Sequence, residues 1–183
     1  MVLYIGFTGI RRGTDTLINS VVYLKDAIPN LKIVIVGNSR DDNYLKTITN
    51  KQKLESFIDF EGWQNFNRLP SYIKASRICV SPLKRNKHHD TTYANKIFQY
   101  MAFGKPQIVS NSTAQANLIN RIGCGLVHKA DSAEDLSDKI LTLYKDAKLL
   151  NDIGAKGRNA LIHTYQWNKV NMELLTYYSN LGN

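Results

Sequence analysis

The chain has 183 residues, 43% hydrophobic and 21% charged, with a formal net charge of +9. That length suits one large domain or a domain with a small appendage, the mean hydropathy of −0.31 is that of an ordinary soluble globule, and no apolar run approaches the ~20 residues that span a bilayer. Two cysteines, Cys79 and Cys124, are too few for a disulfide framework and lack metal-ligand spacing, while the positive balance suits an anionic partner such as a nucleotide, nucleic acid or lipid head group, or else only a solvated surface.

Read in chain order, "MVLYIGFTGI" carries no basic leader and too short an apolar stretch for a secretory signal. It reads as a first strand over Leu3–Ile5. A strand entered without lead-in suggests the back half of a larger protein, cut at a domain boundary. Leu17, Val21, Leu24 and Ile28 then form one stripe at helical spacing. "KIVIV" within Leu31–Val36 is a solid β-branched run, the mark of a strand covered on both faces. Helix is expected over Asp42–Lys51, strand over Phe57–Phe60, a short helix over Arg68–Ala75 and strand over Ile78–Val80. A further helix lies within Thr91–Pro106, followed by strands at Gln107–Val109 and Gly125–Val127. Helices over Ala133–Tyr144, Leu149–His163 and Asn168–Leu181 close the chain, the last with Val170, Leu174 and Tyr177 along one face.

This alternation predicts an α/β fold, a Rossmann-like doubly wound parallel sheet of about six strands with right-handed crossovers. Residues 1–165 form that domain, and residues 166–183 form a helix packing on it or crossing toward another domain. Ligands of such sheets bind outside the carboxyl ends of the strands, at the switch point. The loops to inspect are therefore "GFTGIRRG", "VGNSRDD", "EGWQNFN", "SPLKRNKHHDTT" and "SNSTAQ".

Gly6-Phe-Thr-Gly9 lacks the third glycine of a dinucleotide fingerprint, and no Walker A motif is present. His88 and His89 are adjacent, which turns their side chains apart in extended chain and favours a solvated loop over a metal site. No G-x-S-x-G elbow supports a hydrolase.

The stretch "TTYANKIFQYMAFGKP" holds more. Ala94, Ile97, Phe98 and Met101 make one buried face, and Asn95, Lys96 and Gln99 look out together from the other. Thr91 or Thr92 can cap the helix. Its remaining free N–H groups and positive dipole end suit an anion, with "KRNKHH" adding charge beside it. A diphosphate at the helix start with a sugar or ribose along its polar face is one reading. A surface helix capped for stability is the other.

"NKIFQYMAFGKPQIVSN" closely resembles a segment of the group 1 glycosyltransferases, the retaining GT-B class. "LYIGFTGIRRGTDTLINSVVYLKDAIPNLKIVIVGN", "IDFEGWQNFNRLPSYIKASRICVSPL", "ADSAEDLSDKILTLYKD" and "GRNALIHTYQWNKV" are similar to further segments of that family, in order, and together span nearly the whole chain. The likeness covers the C-terminal, donor-binding half of such an enzyme. It implies transfer of a hexosyl group from a nucleotide-diphospho-sugar, with no metal or other cofactor. An acceptor domain would supply the rest of the cleft. It also implies polysaccharide or glycoconjugate synthesis in the cytoplasm, with a lipid-linked acceptor or peripheral association at the inner face of the membrane, and no nucleic acid.

The resemblance assigns roles to residues. The family has two glutamates separated by seven residues, and those positions here are Thr91 and Gln99. Gln99 can still make two hydrogen bonds to a ribose, without charge. Asp90 can take the first carboxylate's task near the donor sugar. The loop lysine facing the leaving phosphate falls at Arg12, and its companion arginine at Phe7, a departure that Arg11 compensates. Arg12 and Asp90 are thus the catalytic candidates. Arg11, Gly13, Asn38, Trp63, Gln64, Lys84, Arg85, Thr91, Thr92, Tyr93, Asn95, Lys96 and Gln99 are the substrate-binding candidates. The backbone around Trp63 and Gln64 would meet the base, or Trp63 packs at the rim. Lys84 or Arg85 would add charge at the phosphates. A binding module without turnover is the second reading, since both carboxylates are replaced. A basic nucleic-acid binder is the weakest, because no aromatic platform interleaves with the lysines.

Overall fold

In the computed structural model, residues 1–181 are described, without the side chains of Glu173, Leu174 and Leu181. The expected Leu174 contact therefore lies outside the described residues. Six parallel strands form one sheet: β1 (Val2–Ile5), β2 (Ile33–Val36), β3 (Ile58–Gly62), β4 (Ile78–Ser81), β5 (Gln107–Ser110) and β6 (Gly125–His128). Their order is β3-β2-β1-β4-β5-β6. The chain winds outward from β1 to β3, returns across the sheet, and winds outward again from β4. The switch point lies between β1 and β4, which pair Val2 with Ile78 and Leu3 with Cys79.

Alternation along each strand sends side chains to both faces. Val2 and Tyr4 join Ile33, Ile35, Ile58, Ile78 and Val80 in one core, against α1 (Thr14–Leu24), α2 (Asp42–Lys51) and α7 (Ala133–Lys145). Leu17, Val21, Leu24 and Ile28 are all buried there, although the helix stops at Leu24 and Ile28 arrives by a turn. Leu3, Ile5, Val34, Val36 and Cys79 face the other side, where Ile73 of α3 (Leu69–Ala75) and Tyr100 cover them.

Two helices escape the sequence reading. α4 (Lys87–Thr91) occupies the stretch read as a solvated loop. The chain is helical there, and His89 is fully buried rather than solvated. α6 (Thr113–Ile122) follows β5 on a polar stretch whose buried side includes Gln115. Gln115 satisfies itself by donating to the Ser81 and Ser110 carbonyls at 3.1 and 3.2 Å. Between them lies α5 (Asn95–Ala102). After α8 (Ala147–Ala160), a π-helical turn over Leu161–Tyr165 leads to α9 (Trp167–Val170) and α10 (Met172–Leu181). The expected last helix is thus broken at Asn171. α9 packs on the π turn and α10 on α9.

Candidate functional site

At the carboxyl ends of β1, β2 and β3 the chain passes close to its neighbours. The Gly6 amide donates to Val36 O at 2.8 Å and the Gly37 amide to Gly62 O at 2.7 Å. A Cβ on Gly37 would stand 1.9 Å from Gly6 O, at a φ of +132° that L residues rarely adopt. Glycine here lets the strand ends meet without filling the space above them.

That space is a cleft of about 360 Å3, over the ends of β1 and β4. Ile5, Gly6, Phe7 and Leu83 form its floor and sides. Arg12, His88, Thr92, Tyr93, Ala94, Asn95, Lys96 and Gln99 complete it. Across Ile5–Phe7 it continues into a shoulder of about 270 Å3 lined by Gly37, Asn38, Trp63, Gln64 and Leu69. The two spaces together run from the first turn of α5 to the loop after β3, across the switch point.

Arg12 ends a 3-10 turn over Ile10–Arg12 that leads into α1. Its Nε is buried and has no hydrogen-bond partner among the described residues. Lys96 enters from the first turn of α5. Its Nζ lies 3.6 Å from the centre of the Tyr4 ring, and it too is buried and unpartnered. Burial, and next the charge of Arg12, hold its pKa well below that of an ordinary lysine. The Tyr4 hydroxyl donates to Phe7 O at 2.6 Å, and the Tyr100 hydroxyl accepts from the Ile5 amide at 3.1 Å. These bonds anchor the strand end on which the Lys96 stem rests. The Asn95 and Lys96 amides that open α5 lack intrahelical acceptors, as at any helix start, while the Ile97 amide donates to Ala94 O at 3.0 Å.

Several expectations are corrected. α5 begins at Asn95, and its N-cap is Ala94 with no side-chain cap. Neither Thr91 nor Thr92 caps it. Their hydroxyls donate backward to carbonyls of α4, Thr91 to Lys87 O at 2.9 Å and Thr92 to His88 O at 2.7 Å. Lys96 does not share an exposed face with Asn95 and Gln99. It is 9% exposed and belongs with Ile97, Tyr100 and Met101 on the buried side.

Gly13, Lys84, Arg85, Asp90 and Thr91 do not line the cleft or its shoulder. Gly13 holds the left-handed turn into α1, where a Cβ would meet Pro82 O at 1.7 Å. Lys84 is bound by Asp15 at 2.7 Å and Asp131 at 3.0 Å. Burial opposes its charge, but these two partners outweigh it and raise its pKa. Arg85 pairs with Asp90 at 3.2 Å. Arg11 stands beside a neighbouring groove with Phe7, Ile10, Arg40 and Asp41, its guanidinium 5.8 Å from the Phe7 ring centre. Trp63 is 70% exposed at the shoulder.

Asp90 has another job. Its carboxylate accepts from the Thr113 amide at 2.9 Å, so it caps α6. That bond, and then Arg85, lower its pKa. A carboxyl with a lowered folded pKa stabilises the fold above the ordinary carboxylate range, and this is lost as pH falls through the folded value. Asp90→Ala is therefore expected to melt below the wild type near neutral pH, with the gap closing as pH falls through and below the ordinary carboxylate range. Circular-dichroism melts across that range check it.

Sequence reasoning missed His88, Leu83 and the Ile5–Gly6 floor. The i,i+4 pair Lys96 and Tyr100, flanking Ile97 and Met101, was the available signal that Lys96 turns inward. His89 gave none. Its Nδ1 lies 2.7 Å from Lys84 O, and its Nε2 is buried without a partner among the described residues. Among those residues no group of three or more His, Cys, Asp or Glu could hold a metal ion.

Residues 1–160 match the family described as "Glycosyl transferases group 1". The chain belongs to the group 1 glycosyl transferases. Its sheet and helices are those of a GT-B half-domain. HepE of Anabaena, solved in complex with UDP, superposes with a TM-score of 0.85 over 98% of this chain and 48% of its own, at 16% identity. The C-terminal domain of the group 1 protein LpcC from Francisella tularensis gives a TM-score of 0.75 at 20% identity, over 91% of this chain and 86% of its own. A curated relative is the GDP-mannose-dependent alpha-(1-6)-phosphatidylinositol monomannoside mannosyltransferase of Mycobacterium tuberculosis, 22% identical over 169 residues and 91% of this chain. The chain spans 44% of that relative's length. The longer matches are to C-terminal halves. No described helix is long and apolar enough to cross a membrane.

Proposed function

We propose that this domain binds the donor of a retaining glycosyltransferase, a nucleoside-diphospho-sugar. The observation that carries the reading is the convergence of Arg12, Lys96 and the first turn of α5 in one cleft at the switch point. A diphosphate there meets a guanidinium fork, an amine and free backbone amides. Donors preset at a developing negative charge lower the barrier to leaving-group departure. The shoulder at Asn38, Trp63 and Gln64 takes the base, and Gln99 bonds the ribose. The crystallised HepE complex with UDP and the GDP-mannose dependence of the mycobacterial relative support a nucleotide ligand of this class.

In this reading a hexosyl group passes to an acceptor held by another domain, toward which α9 and α10 cross. The product is a polysaccharide or glycoconjugate made in the cytoplasm, with a lipid-linked acceptor or peripheral attachment at the inner membrane face. No metal is required, because Arg12, Lys96 and the amides meet the diphosphate charge. Acting alone, the 183 residues bind donor and transfer little.

One observation favours a second reading, binding without turnover. Thr91 stands outside the cleft, Gln99 is uncharged, and Asp90 is committed to Thr113 and Arg85. The test is a thermal-shift panel of uridine, guanosine and adenosine diphosphates and their sugars, run on the wild type and on Gln99→Glu. A ligand at about a hundred times its Kd stabilises the fold by about 2.7 kcal/mol, a rise of several degrees in Tm. At least one diphosphate is expected to do this for the wild type. No shift from any of them would remove the donor-site reading. Donor hydrolysis that rises sharply in Gln99→Glu would favour the degraded module.

A further inference from the structure

Lys96 is an unusual side chain to find in an anion site. Its amine is buried and has no hydrogen-bond acceptor among the described residues. The Tyr4 ring faces it from β1, and Arg12 faces it from the turn before α1. Tyr100 lies one turn along its own helix, and its hydroxyl is engaged with the Ile5 amide. Asn95 and Gln99 line the same cleft without charge, and His88 lines it from α4. A Cβ on Gly6 would sit 3.4 Å from both Cε and Nζ, so the stem lies flat on the strand end.

Among the described residues, no carboxylate lines the cleft. Asp15 is bound to Lys84, and Asp90 to Arg85 and Thr113. A ring face attracts an ammonium, but no acceptor among the described residues replaces the water that the ammonium N–H groups lose on burial. Desolvation therefore wins, and Arg12 adds to it. A diphosphate seated in the cleft reverses the balance, because it brings negative oxygens beside the two cations that line it.

We propose that the Lys96 amine is neutral when only protein surrounds it and takes up one proton from solvent as a diphosphate seats in the cleft. The nitrogen lone pair becomes an N–H bond, and the new ammonium pairs with phosphate oxygen. Binding and protonation are one step, so the domain discriminates by ligand charge: a diphosphate drives the step and an uncharged nucleoside does not. This rests on the donor-site reading above.

The test is isothermal titration of the chain with UDP and with GDP at about pH 8, in Tris and in HEPES, whose ionisation heats differ. At that pH the terminal phosphate, with a second pKa of about 6, is already deprotonated and does not confuse the count. The expected result is uptake of close to one proton per ligand. The Kd should rise toward tenfold per pH unit wherever uptake is complete. Lys96→Met should abolish the uptake, flatten the pH dependence and weaken binding at least tenfold. His88→Gln, which removes the other base lining the cleft, should keep the uptake. Melting curves confirm that each variant folds, and the wild-type and His88→Gln slopes stand if Lys96→Met does not.

Binding without uptake would overturn the proposal and leave the donor site standing. Uptake that survives in Lys96→Met, or disappears in His88→Gln, would overturn it too. No binding of either nucleotide at any pH would bring down the donor-site reading and the proposal together.

Discussion

Arg12→Met is expected to raise the Kd of a nucleoside diphosphate about thirtyfold while leaving the melting temperature of the ligand-free chain nearly unchanged. The size follows from chemistry. Hydrogen bonds to a charged group contribute about 1.5–3 kcal/mol, and about 1.4 kcal/mol is a factor of ten. Arg12 has an Nε that is buried, unpartnered among the described residues, and set at the edge of the cleft. Methionine keeps the stem's bulk and removes the fork, so the loss is of phosphate binding and not of packing. Arg12→Lys should recover part of the affinity, since it restores charge without the two-point geometry. Isothermal titration with UDP or GDP measures the change. An Arg12→Met protein that binds like the wild type would mean that the diphosphate lies elsewhere.

A large stability effect is expected at Gly37. Gly37→Ala forces a methyl to 1.9 Å from Gly6 O at a φ of +132°. Neither atom is at the end of a flexible side chain, so the backbone of β1 or β2 must move. Strained backbone conformations cost about 1–3 kcal/mol and overpacking a similar amount. A loss of at least 3 kcal/mol is expected, which is about 10 °C in Tm for a domain of this size. The same shift displaces Gly6, on which the Lys96 stem rests, so binding should weaken as well. Thermal melts followed by titration separate the two effects. A melting point within about 2 °C of the wild type would show that the strand ends are not held as tightly as the geometry requires.

Five of the strands were legible because they carry apolar residues to both faces of the sheet, while β3 alternates Ile58 and Phe60 with Asp59 and Glu61. β1 sends Val2 and Tyr4 one way and Leu3 and Ile5 the other, which leaves no polar position to confuse the pattern. α1 was legible by its stripe. α6 was not, because a polar residue, Gln115, sits on its buried side and is satisfied by Ser81 and Ser110 rather than by water. α4 was hidden because its cap, Asn86, is a common loop residue, and its buried member is a histidine.

The site divides in the same way. Gln99 and the start of α5 follow from the helix pattern near the switch point, whereas Arg12 follows only from the resemblance to the group 1 loop. The basic cluster beside that helix points to Lys84 at the diphosphate, and adjacency to Thr91, the position of the family's first glutamate, points to Asp90 at the sugar. Their actual partners are distant: Asp15 and Asp131 for Lys84, Thr113 for Asp90. Local sequence carries no record of such pairings. Lys96 was placed on the wrong face because Phe98 is as apolar as Tyr100, and spacing alone does not say which aromatic faces the sheet. The Tyr100 hydroxyl, bonded to the Ile5 amide, decides it.

A crystal structure of this chain with bound UDP or GDP tests whether the switch-point cleft receives a diphosphate. Phosphate oxygens are expected about 3 Å from the Arg12 guanidinium, the Lys96 amine and the first amides of α5, with the base toward Trp63 and Gln64. A nucleotide bound away from Arg12 and Lys96, or one whose base fills the cleft while its phosphates point to solvent, would contradict it.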